Sequence, residues 1–413
     1  MKSKFNEIEK KWVLYDVGNS AFTMLVTTIM PIYFNQLASS QGISEVNYLA
    51  YWGYATTIST IIVALLAPFF GTISDFPGWK KKLFSVSLLI GSVGCVLLGI
   101  IQSWIWFLLL FVLAKSAYSI NLVFYDSMLT DVTTPEKMNR VSASGYAWGY
   151  IGSCIPFILS LVVVLFYDKI GLSIQVAMFL AFLITAVWWI LFAMPLWRKY
   201  KQKNYVEPTH HPLKESFIRL SKIFNELKKN KKVLFFLIAF FFYIDGVYTI
   251  IDMATAYGTA LGLKSEGLLL ALLVTQIVAF PTALFFGKLS TKTDVFKLIL
   301  VCITAYFFIV LYGMTMKLQY QFWILAICVG AFQGGIQSLS RSYFASIIPK
   351  NKSGEYFGIY DICGKGASIL GTFLVSLVSQ ISGNINTGVG ILAVMFVIGG
   401  FFFIKTSKVK SLN

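Results

Sequence analysis

The sequence predicts an all-α membrane protein with twelve transmembrane helices. Of its 413 residues, 57% are apolar and only 13% are charged, and the mean hydropathy is +0.74. A water-soluble domain has roughly 45–50% apolar and about 25% charged residues. The composition therefore excludes a cytosolic enzyme, a secreted disulfide-bonded domain and a disordered protein.

Twelve apolar segments, each long enough to cross a bilayer as a helix, account for most of the chain. A helical crossing takes about 20 residues, whereas a β-barrel strand shows only about ten alternating ones. In order, the segments lie at 12–37, 48–74, 83–102, 104–130, 142–167, 173–197, 233–261, 266–290, 295–316, 321–347, 357–381 and 386–404. We predict two six-helix bundles, at residues 1–197 and 233–413, joined by a basic linker at 198–232.

The distribution of basic residues predicts the orientation. Of 34 Lys and Arg, 29 lie in the two termini and the even-numbered connections or within about two helical turns of them, and three lie in the odd-numbered connections. By the positive-inside rule, both termini of this multi-pass protein face the cytoplasm, and we expect it in the inner cell membrane. The net charge of +16 belongs to these connections, so we predict no nucleic-acid partner. The alternating apolar and basic stretch 213–232 predicts either an amphipathic helix on anionic lipid or a solvated linker.

The residue types that bind metals and cofactors are sparse. The five cysteines lie inside apolar segments without CxxC spacing, and the two histidines, His210 and His211, are adjacent in the basic linker. No GxxxxGK[ST] motif is present. We therefore predict no metal, no cofactor and no ATP-driven step.

The two halves of the sequence repeat each other. PFFGTISD (68–75) aligns with LFFGKLST (284–291), and TPEKMNRVSASGYAWGYIG (134–152) aligns with IPKNKSGEYFGIYDICGKG (348–366). A parallel repeat of this kind is typical of transporters whose two bundles rock about a central site.

The motifs resemble the vacuole-effluxer branch of the major facilitator superfamily, which includes the yeast autophagy-related vacuolar amino-acid exporter. They are WVLYDVGNSAF (12–22), VFYDSMLTDVTTPEKMNRVSASGYAWGYIG (123–152), FFFYIDGVYTIIDMATAYG (240–258), QIVAFPTALFFGKLS (276–290) and GGIQSLSRSYFASIIPKNKSGEYFGIYDICGKGASILG (334–371). The resemblance implies a monomeric secondary transporter that moves a small organic solute, with amino acids as the class and protons as the coupling ion. The usage of 30 Lys against 4 Arg indicates a bacterial member.

Two other transport functions stay open, namely export of a drug-like or lipidic amphiphile, and uniport. An enzyme is not expected, because the sequence has no HExxH motif and no histidine inside an apolar segment.

Charged residues inside apolar segments are the first candidates for function, because an unpaired charge in hydrocarbon is costly. They are Asp16, Lys115, Asp126, Asp245, Asp252, Asp361 and Lys365. Asp245 lies twelve residues into the seventh segment, near the membrane midplane, and Asp16 lies in the repeat-equivalent first segment. We expect these two carboxylates to face one cavity and to carry protons; the alternative is a buried carboxylate paired with a structural lysine.

The predicted substrate-binding residues combine charged, amide and aromatic side chains. They are Asn19, Lys115, Tyr125, Trp148, Tyr248, Gln333, Gln337, Asp361 and Lys365. Asp361 and Lys365 are spaced i, i+4 and can pair, which would tether helices or bind solute. Helix packing is the alternative for each aromatic residue, and a hinge is the alternative for the glutamine pair.

The sequence GTISDFPGWKKK (71–82) resembles the superfamily's signature between the second and third helices. We predict that Gly71, Asp75, Gly78, Lys80 and Lys81 form a gate. The resemblance implies that the acid, Asp75, faces the N-terminal amides of a neighbouring helix and stabilises the outward-open state. Trp79 stands where the family usually has Arg, and an ordinary basic loop is the alternative.

Overall fold

A computed structural model describes residues 4–43, 45–207, 212–261 and 263–409. The side chains at 45–50, 212, 224, 255–256, 259–260, 265–266, 269 and 365–368 are outside this description. His210 and His211 therefore lie outside the described residues, and so does the side chain of Lys365.

The described residues form α-helices and no strands. The first half contains α1 (Glu7–Thr27), α2 (Ile29–Ser40), α3 (Glu45–Ser74), α4 (Trp79–Leu98), α5 (Trp104–Ser127), α6 (Leu129–Val132), α7 (Pro135–Leu165) and α8 (Ile174–Lys199). The connecting helix is α9 (Pro212–Lys229). The second half contains α10 (Lys231–Ala260), α11 (Ser265–Leu289), α12 (Val295–Gly313), α13 (Gln319–Ile347), α14 (Ser353–Ser382) and α15 (Ile385–Lys408).

Twelve spans are long and apolar enough to cross a membrane, which confirms the predicted number. The first span combines α1 with α2, and the fourth combines α5 with α6. Several helices begin earlier than the apolar pattern predicts: α4 at Trp79, α7 at Pro135 and α14 at Ser353. Their first turns contain Lys, Glu and Gly residues, which interrupt an apolar pattern without interrupting a helix.

Local sequence explains several helix ends. Asn6 caps α1, and Glu9 completes a capping box by accepting a hydrogen bond from the Asn6 backbone. Pro135 occupies the first turn of α7, where its missing N–H costs nothing. Gly383 follows α14 with a φ of 64°, a left-handed conformation that suits glycine.

The two halves are built alike and meet along several helix pairs. In the first half α1 packs against α7 and α8, and in the second half α10 packs against α14 and α15. The halves contact each other where α14 meets α3 and α5 and where α7 meets α11 and α13, with a short contact between α6 and α13. We call the end of the bundle at which α1 and α14 begin and α3 ends the basic end, because Lys80, Arg219 and Lys352 make ion pairs there.

The connecting helix α9 packs against the bundle. Ser216, Ile223 and Leu227 are buried, and the ring of Phe217 lies 4.6 Å from that of Phe69 on α3. The stretch 213–232 is thus helical over most of its length and not a solvated linker. Its buried face contacts α3 and α10. The expected contact of this helix with anionic lipid stays a prediction.

We predict that Gly399→Ala lowers thermal stability while Gly53→Ala does not. A Cβ at Gly399 would lie 2.9 Å from Cβ and 3.0 Å from the backbone nitrogen of Tyr243, between α15 and α10. Overpacking of this kind costs about 1–3 kcal/mol. A Cβ at Gly53 meets nothing within 4 Å, so the helix preference of alanine, about 1 kcal/mol, acts alone. Unfolding midpoints of the purified proteins in detergent check this, and equal midpoints would contradict the packing argument.

Candidate functional site

The carboxylate of Asp75 joins the end of α3 to the beginning of α14. Asp75 is fully buried, and it accepts hydrogen bonds from the backbone nitrogens of Gly354 (2.7 Å) and Glu355 (2.9 Å). These amides belong to the first turn of α14, where the helix dipole is positive. The two backbones come so close that a Cβ at Gly71 would lie 2.3 Å from the carbonyl oxygen of Gly354. Asp75 and Gly71 therefore hold the two halves together at the basic end.

Two cations surround Asp75. The Nζ atom of Lys80 lies 3.9 Å from Asp75 and 3.6 Å from Asp131, and it donates a hydrogen bond to Ser353 at 2.8 Å. Arg219, on α9, hydrogen-bonds Glu355 and lies 3.6 Å from Asp75. Burial raises the pKa of the Asp75 carboxyl to about 7, and Lys80, the Glu355 amide and Arg219 oppose this rise.

The contacts described for the remaining predicted gate residues are with the end of α8 and with the linker that follows it. Gly78 has a φ of 75° before α4, and its N–H donates to the side chain of Gln202 at 3.0 Å. The ammonium group of Lys81 lies 5.3 Å from the ring centre of Trp197 at the end of α8. Of the five predicted residues, Gly71, Asp75 and Lys80 thus make the contacts with α14.

A second set of polar contacts between the halves centres on Arg341, which the sequence analysis did not identify. Arg341 lies on α13, and its side chain is only 2% exposed. Its guanidinium donates to Asp126 at 2.9 Å, to Asp16 at 3.4 Å, and to Oγ and the carbonyl oxygen of Ser142 at 2.9 and 3.0 Å. It also lies 4.2 Å from the ring centre of Tyr146. Among the described residues, these polar partners of Arg341 all belong to the first half.

The sequence analysis missed Arg341 because basic residues near the end of an apolar segment are ordinarily attributed to the adjoining loop. The structure continues α13 to Ile347, so Arg341 lies about 9 Å inside the helix. One signal in the sequence could have identified it. Ser338 and Ser342, four residues apart, share a helix face with Arg341, and such small polar residues indicate a face that packs against polar groups.

Asp16 lies in this same cluster with two other predicted residues. The Tyr125 hydroxyl donates to Asp16 at 2.7 Å, and the Asn19 amide donates to it at 3.2 Å. The ring of Tyr125 stacks on that of Trp12 at 4.5 Å. Asp16 is thus a buried, paired carboxylate whose cation is an arginine and not the lysine considered as an alternative.

Asp245 has a different set of partners. It is fully buried and accepts hydrogen bonds from the backbone nitrogen of Gly371 at 3.1 Å and from the hydroxyl of Thr249 at 3.2 Å. Its second oxygen, Oδ2, receives no hydrogen bond from the part of the chain that is described. These partners lie on α10 and α14 of the second half. Asp16 and Asp245, which we expected to face one cavity, therefore share no hydrogen-bond partner.

The amides and aromatics predicted to bind substrate are spread over several helices. Gln337 accepts a hydrogen bond from the Tyr150 hydroxyl across the α7–α13 contact, at 2.6 Å. Gln333 is buried, and its Oε1 has no hydrogen-bond donor among the described residues. Trp148 is 48% exposed and packs edge-on against Phe280 at 5.3 Å, and Tyr248 is partly buried.

The charged members of the predicted substrate set lie on α5 and α14. Lys115 lies 5.7 Å from the ring centre of Phe111, one turn earlier on α5. Asp361 is partly buried on α14. The proposed pairing of Asp361 with Lys365 falls on a side chain outside the described residues.

We predict that Asp75→Asn opens the basic end. Unlike a protonated carboxyl, whose hydroxyl oxygen can still accept, the NH2 group of the amide presents only donors to the N–H of Gly354 or Glu355. A buried donor left without an acceptor costs about 1–3 kcal/mol. Maleimide labelling of a Ser74→Cys reporter, buried beside Gly354 in the closed state, should therefore become faster. Asp294→Asn is the matched control, because Asp294 caps α12 without contacting the first half. Equal labelling rates in the two variants would contradict the assignment.

Comparison with known proteins identifies the family of this chain. The family described as "Vacuole effluxer Atg22 like" matches residues 6–136 and 130–412. The uncharacterized MFS-type transporter YxiO of Bacillus subtilis is 43% identical over 404 residues, which cover 97% of this chain and 94% of that protein. Autophagy-related protein 22 of Yarrowia lipolytica is 26% identical over 65% of this chain. The chain spans only 51% of that fungal relative.

Solved structures show the same fold. The Escherichia coli fucose:proton symporter FucP superimposes with a TM-score of 0.73 at 14% identity, covering 97% of this chain and 98% of that one. A bacterial homologue of the iron transporter ferroportin, in an outward-facing state, gives 0.75 at 13% identity, with 98% and 100% covered. The 43% identical relative from Bacillus subtilis is described as a transporter, which confirms the prediction that the chain is not an enzyme. The chain belongs to the Atg22-like vacuole-effluxer family of the major facilitator superfamily, and it is a multi-pass membrane transporter.

Proposed function

We propose that this protein is a secondary active transporter that moves amino acids across the membrane by alternating access. The observation that carries the proposal is the closure of the basic end, which consists of polar contacts and glycine approaches between the two halves. Such contacts can separate without exposing a large apolar surface. In this mechanism the halves at 1–197 and 233–413 rock against each other, and the linker at 198–232 connects them.

The orientation follows from the basic residues. With 29 of 34 Lys and Arg at one end, that end and both termini face the cytoplasm of the inner membrane. The end that is closed in this structure is then the cytoplasmic one.

Amino acids are the proposed solute class because the central residues offer charges of both signs. A zwitterion presents an ammonium group and a carboxylate, and the bundle contains the carboxylates of Asp126 and Asp361 together with Lys115. Amides and aromatic rings complete the proposed binding set, which is Asn19, Lys115, Tyr125, Trp148, Tyr248, Gln333, Gln337, Asp361 and Lys365. The description of the family as vacuole effluxers supports transport of a solute without naming its class.

Export of an apolar amphiphile is the second candidate function. A cavity of about 270 Å³ lies within the second half, between α10, α12, α14 and α15. Its walls include Met253, Val310, Val389 and Leu392, with Tyr257 as one of few polar groups. An apolar cavity of this kind suits a hydrocarbon group better than an amino acid.

Reconstituted vesicles separate these two functions. We expect proteoliposomes preloaded with a mixture of amino acids to take up at least one labelled amino acid by counterflow, and protein-free vesicles to take up none. Counterflow requires only alternating access, so it works whatever the coupling ion. Transport of a fluorescent amphiphile without uptake of any amino acid would instead support the second candidate.

We propose protons as the coupling ion, with Asp245 ahead of Asp16 as the proton carrier. Asp245 lies deep in α10, and its Oδ2 atom is available for a proton, since no described group donates to it. Asp16 is held by Arg341, Tyr125 and Asn19. The gating role of Gly71, Asp75, Gly78, Lys80 and Lys81 belongs to the same proposal.

We predict that Asp245→Asn abolishes accumulation driven by a pH gradient but preserves exchange between compartments of equal pH. Exchange requires no release of a proton, so it should survive the loss of the carboxylate. The measurement compares both fluxes in proteoliposomes, and Asp168→Asn, an exposed change in a connection, is the control. Loss of accumulation in Asp16→Asn alone would assign the proton to α1. Normal accumulation in both variants would indicate uniport or another ion.

A further inference from the structure

We propose that Asp126 is a proton-binding site that controls a latch between the two halves. The latch consists of Arg341 together with Asp16, Asp126 and Ser142, and it rests on the proposed alternating access. A proton on Asp126 releases Arg341 and allows the basic end to open.

The position of Arg341 makes it a connection between the two halves, which move against each other in the proposed alternating access. The residue belongs to α13 in the second half, while its four hydrogen bonds end on α1, α5 and α7 in the first half. Arg341 lies deeper in the bundle than the Asp75 contacts at the helix ends. If the halves separate at the basic end, these four bonds must break.

The charges of the latch do not balance. Two carboxylates face one guanidinium, so the cluster holds one negative charge in excess. An excess charge in a membrane-spanning bundle is costly, and one added proton removes it.

The surroundings of the two carboxylates select Asp126 as the group that takes this proton. Asp16 is stabilised as an anion by donors from Tyr125 and Asn19 as well as Arg341, and its side chain is 8% exposed. The one hydrogen bond described for Asp126 comes from Arg341, and its side chain is 19% exposed. Water therefore reaches Asp126 more readily than Asp16. Protonation of Asp126 weakens only its hydrogen bond with Arg341, which must break in any case when the halves separate.

Other ionisable groups face Asp126 from each neighbouring helix. They are Asp16 on α1, Tyr118 on α5 itself, Tyr146 on α7, Tyr248 on α10, Arg341 on α13 and Asp361 on α14. The negative charges of Asp16 and Asp361 favour proton uptake by Asp126, and Arg341 opposes it.

The test measures maleimide labelling of a Ser74→Cys reporter between about pH 8 and about pH 5.5, in purified protein with native Asp126 and in Asp126→Asn. Peptide mass spectrometry separates the reporter from the native cysteines. We expect Asp126→Asn to label several-fold faster at the alkaline end, because the neutral amide holds Arg341 less strongly. The ratio of the two rates should fall towards one as the pH falls and native Asp126 takes up its proton.

The ratio of the two labelling rates removes the effect of Asp75 on the pH dependence. Burial raises the pKa of Asp75 to about 7 when the basic end is closed. The closed state therefore binds a proton more tightly than an open state in which Asp75 is in water. Acid therefore favours closure through Asp75, in the opposite direction to the latch. This response is common to both proteins and cancels in the ratio.

Three further variants complete the test. In Arg341→Gln the Ser74→Cys reporter should be labelled fast at every pH. Arg341→Lys should recover part of the slow labelling. In Asp252→Asn the reporter should be labelled at the same rate as in the parent. A ratio that stays at one over the whole range would overturn the proposal. The proposal would also be overturned if the rate ratio of Asp16→Asn to the parent fell towards one in acid while the ratio of Asp126→Asn to the parent stayed constant. Labelling requires neither solute nor gradient, so its result stands even if no amino-acid flux is found.

Discussion

The structure depends on the rule that a charge inside the membrane must have a partner. Arg341 is buried in α13, and its hydrogen-bond partners in the described part of the chain lie across the boundary between the halves, on α1, α5 and α7. The need to satisfy one guanidinium therefore sets how closely the first half approaches the second. The aromatic rings of Trp12 and Tyr146, at 4.7 and 4.2 Å, shield it further.

The two layers of contact at the basic end differ in what they require of the backbone. The Asp75 layer uses the N-terminal amides of α14, and glycines at 71 and 354 allow the helices to touch. The Arg341 layer uses side chains and the backbone carbonyl oxygen of Ser142. Each charge-assisted bond is worth about 1.5–3 kcal/mol, so a few of them favour the closed arrangement by a free energy that a two-state protein can reverse. The helix α9 adds Arg219 to the outer layer, which ties the linker to the Asp75 contacts.

The internal repeat did not preserve the chemistry of its equivalent positions. Asp16 and Asp245 occupy corresponding helices, yet their partners differ. Asp16 pairs with an arginine of the second half, whereas Asp245 accepts hydrogen bonds from a glycine amide and a threonine hydroxyl of its own half. The repeat in the sequence reflects a shared helix arrangement. Residue roles diverged because the partners on facing helices differ.

The sequence by itself determined the twelve spans, the absence of strands in the described chain and the family, because hydrophobicity over 20 residues and local motifs are properties of contiguous sequence. The signature around Asp75 could also be identified from the sequence, because it is a contiguous stretch at 71–82. Only the tertiary structure decided that Arg341 is an intramembrane cation and that α9 packs on protein. It also decided which partners Asp16 and Asp245 receive. Arg341 and Asp16 are 325 positions apart, and no local pattern specifies which of several buried carboxylates an arginine will meet. That choice is made by the packing of whole helices.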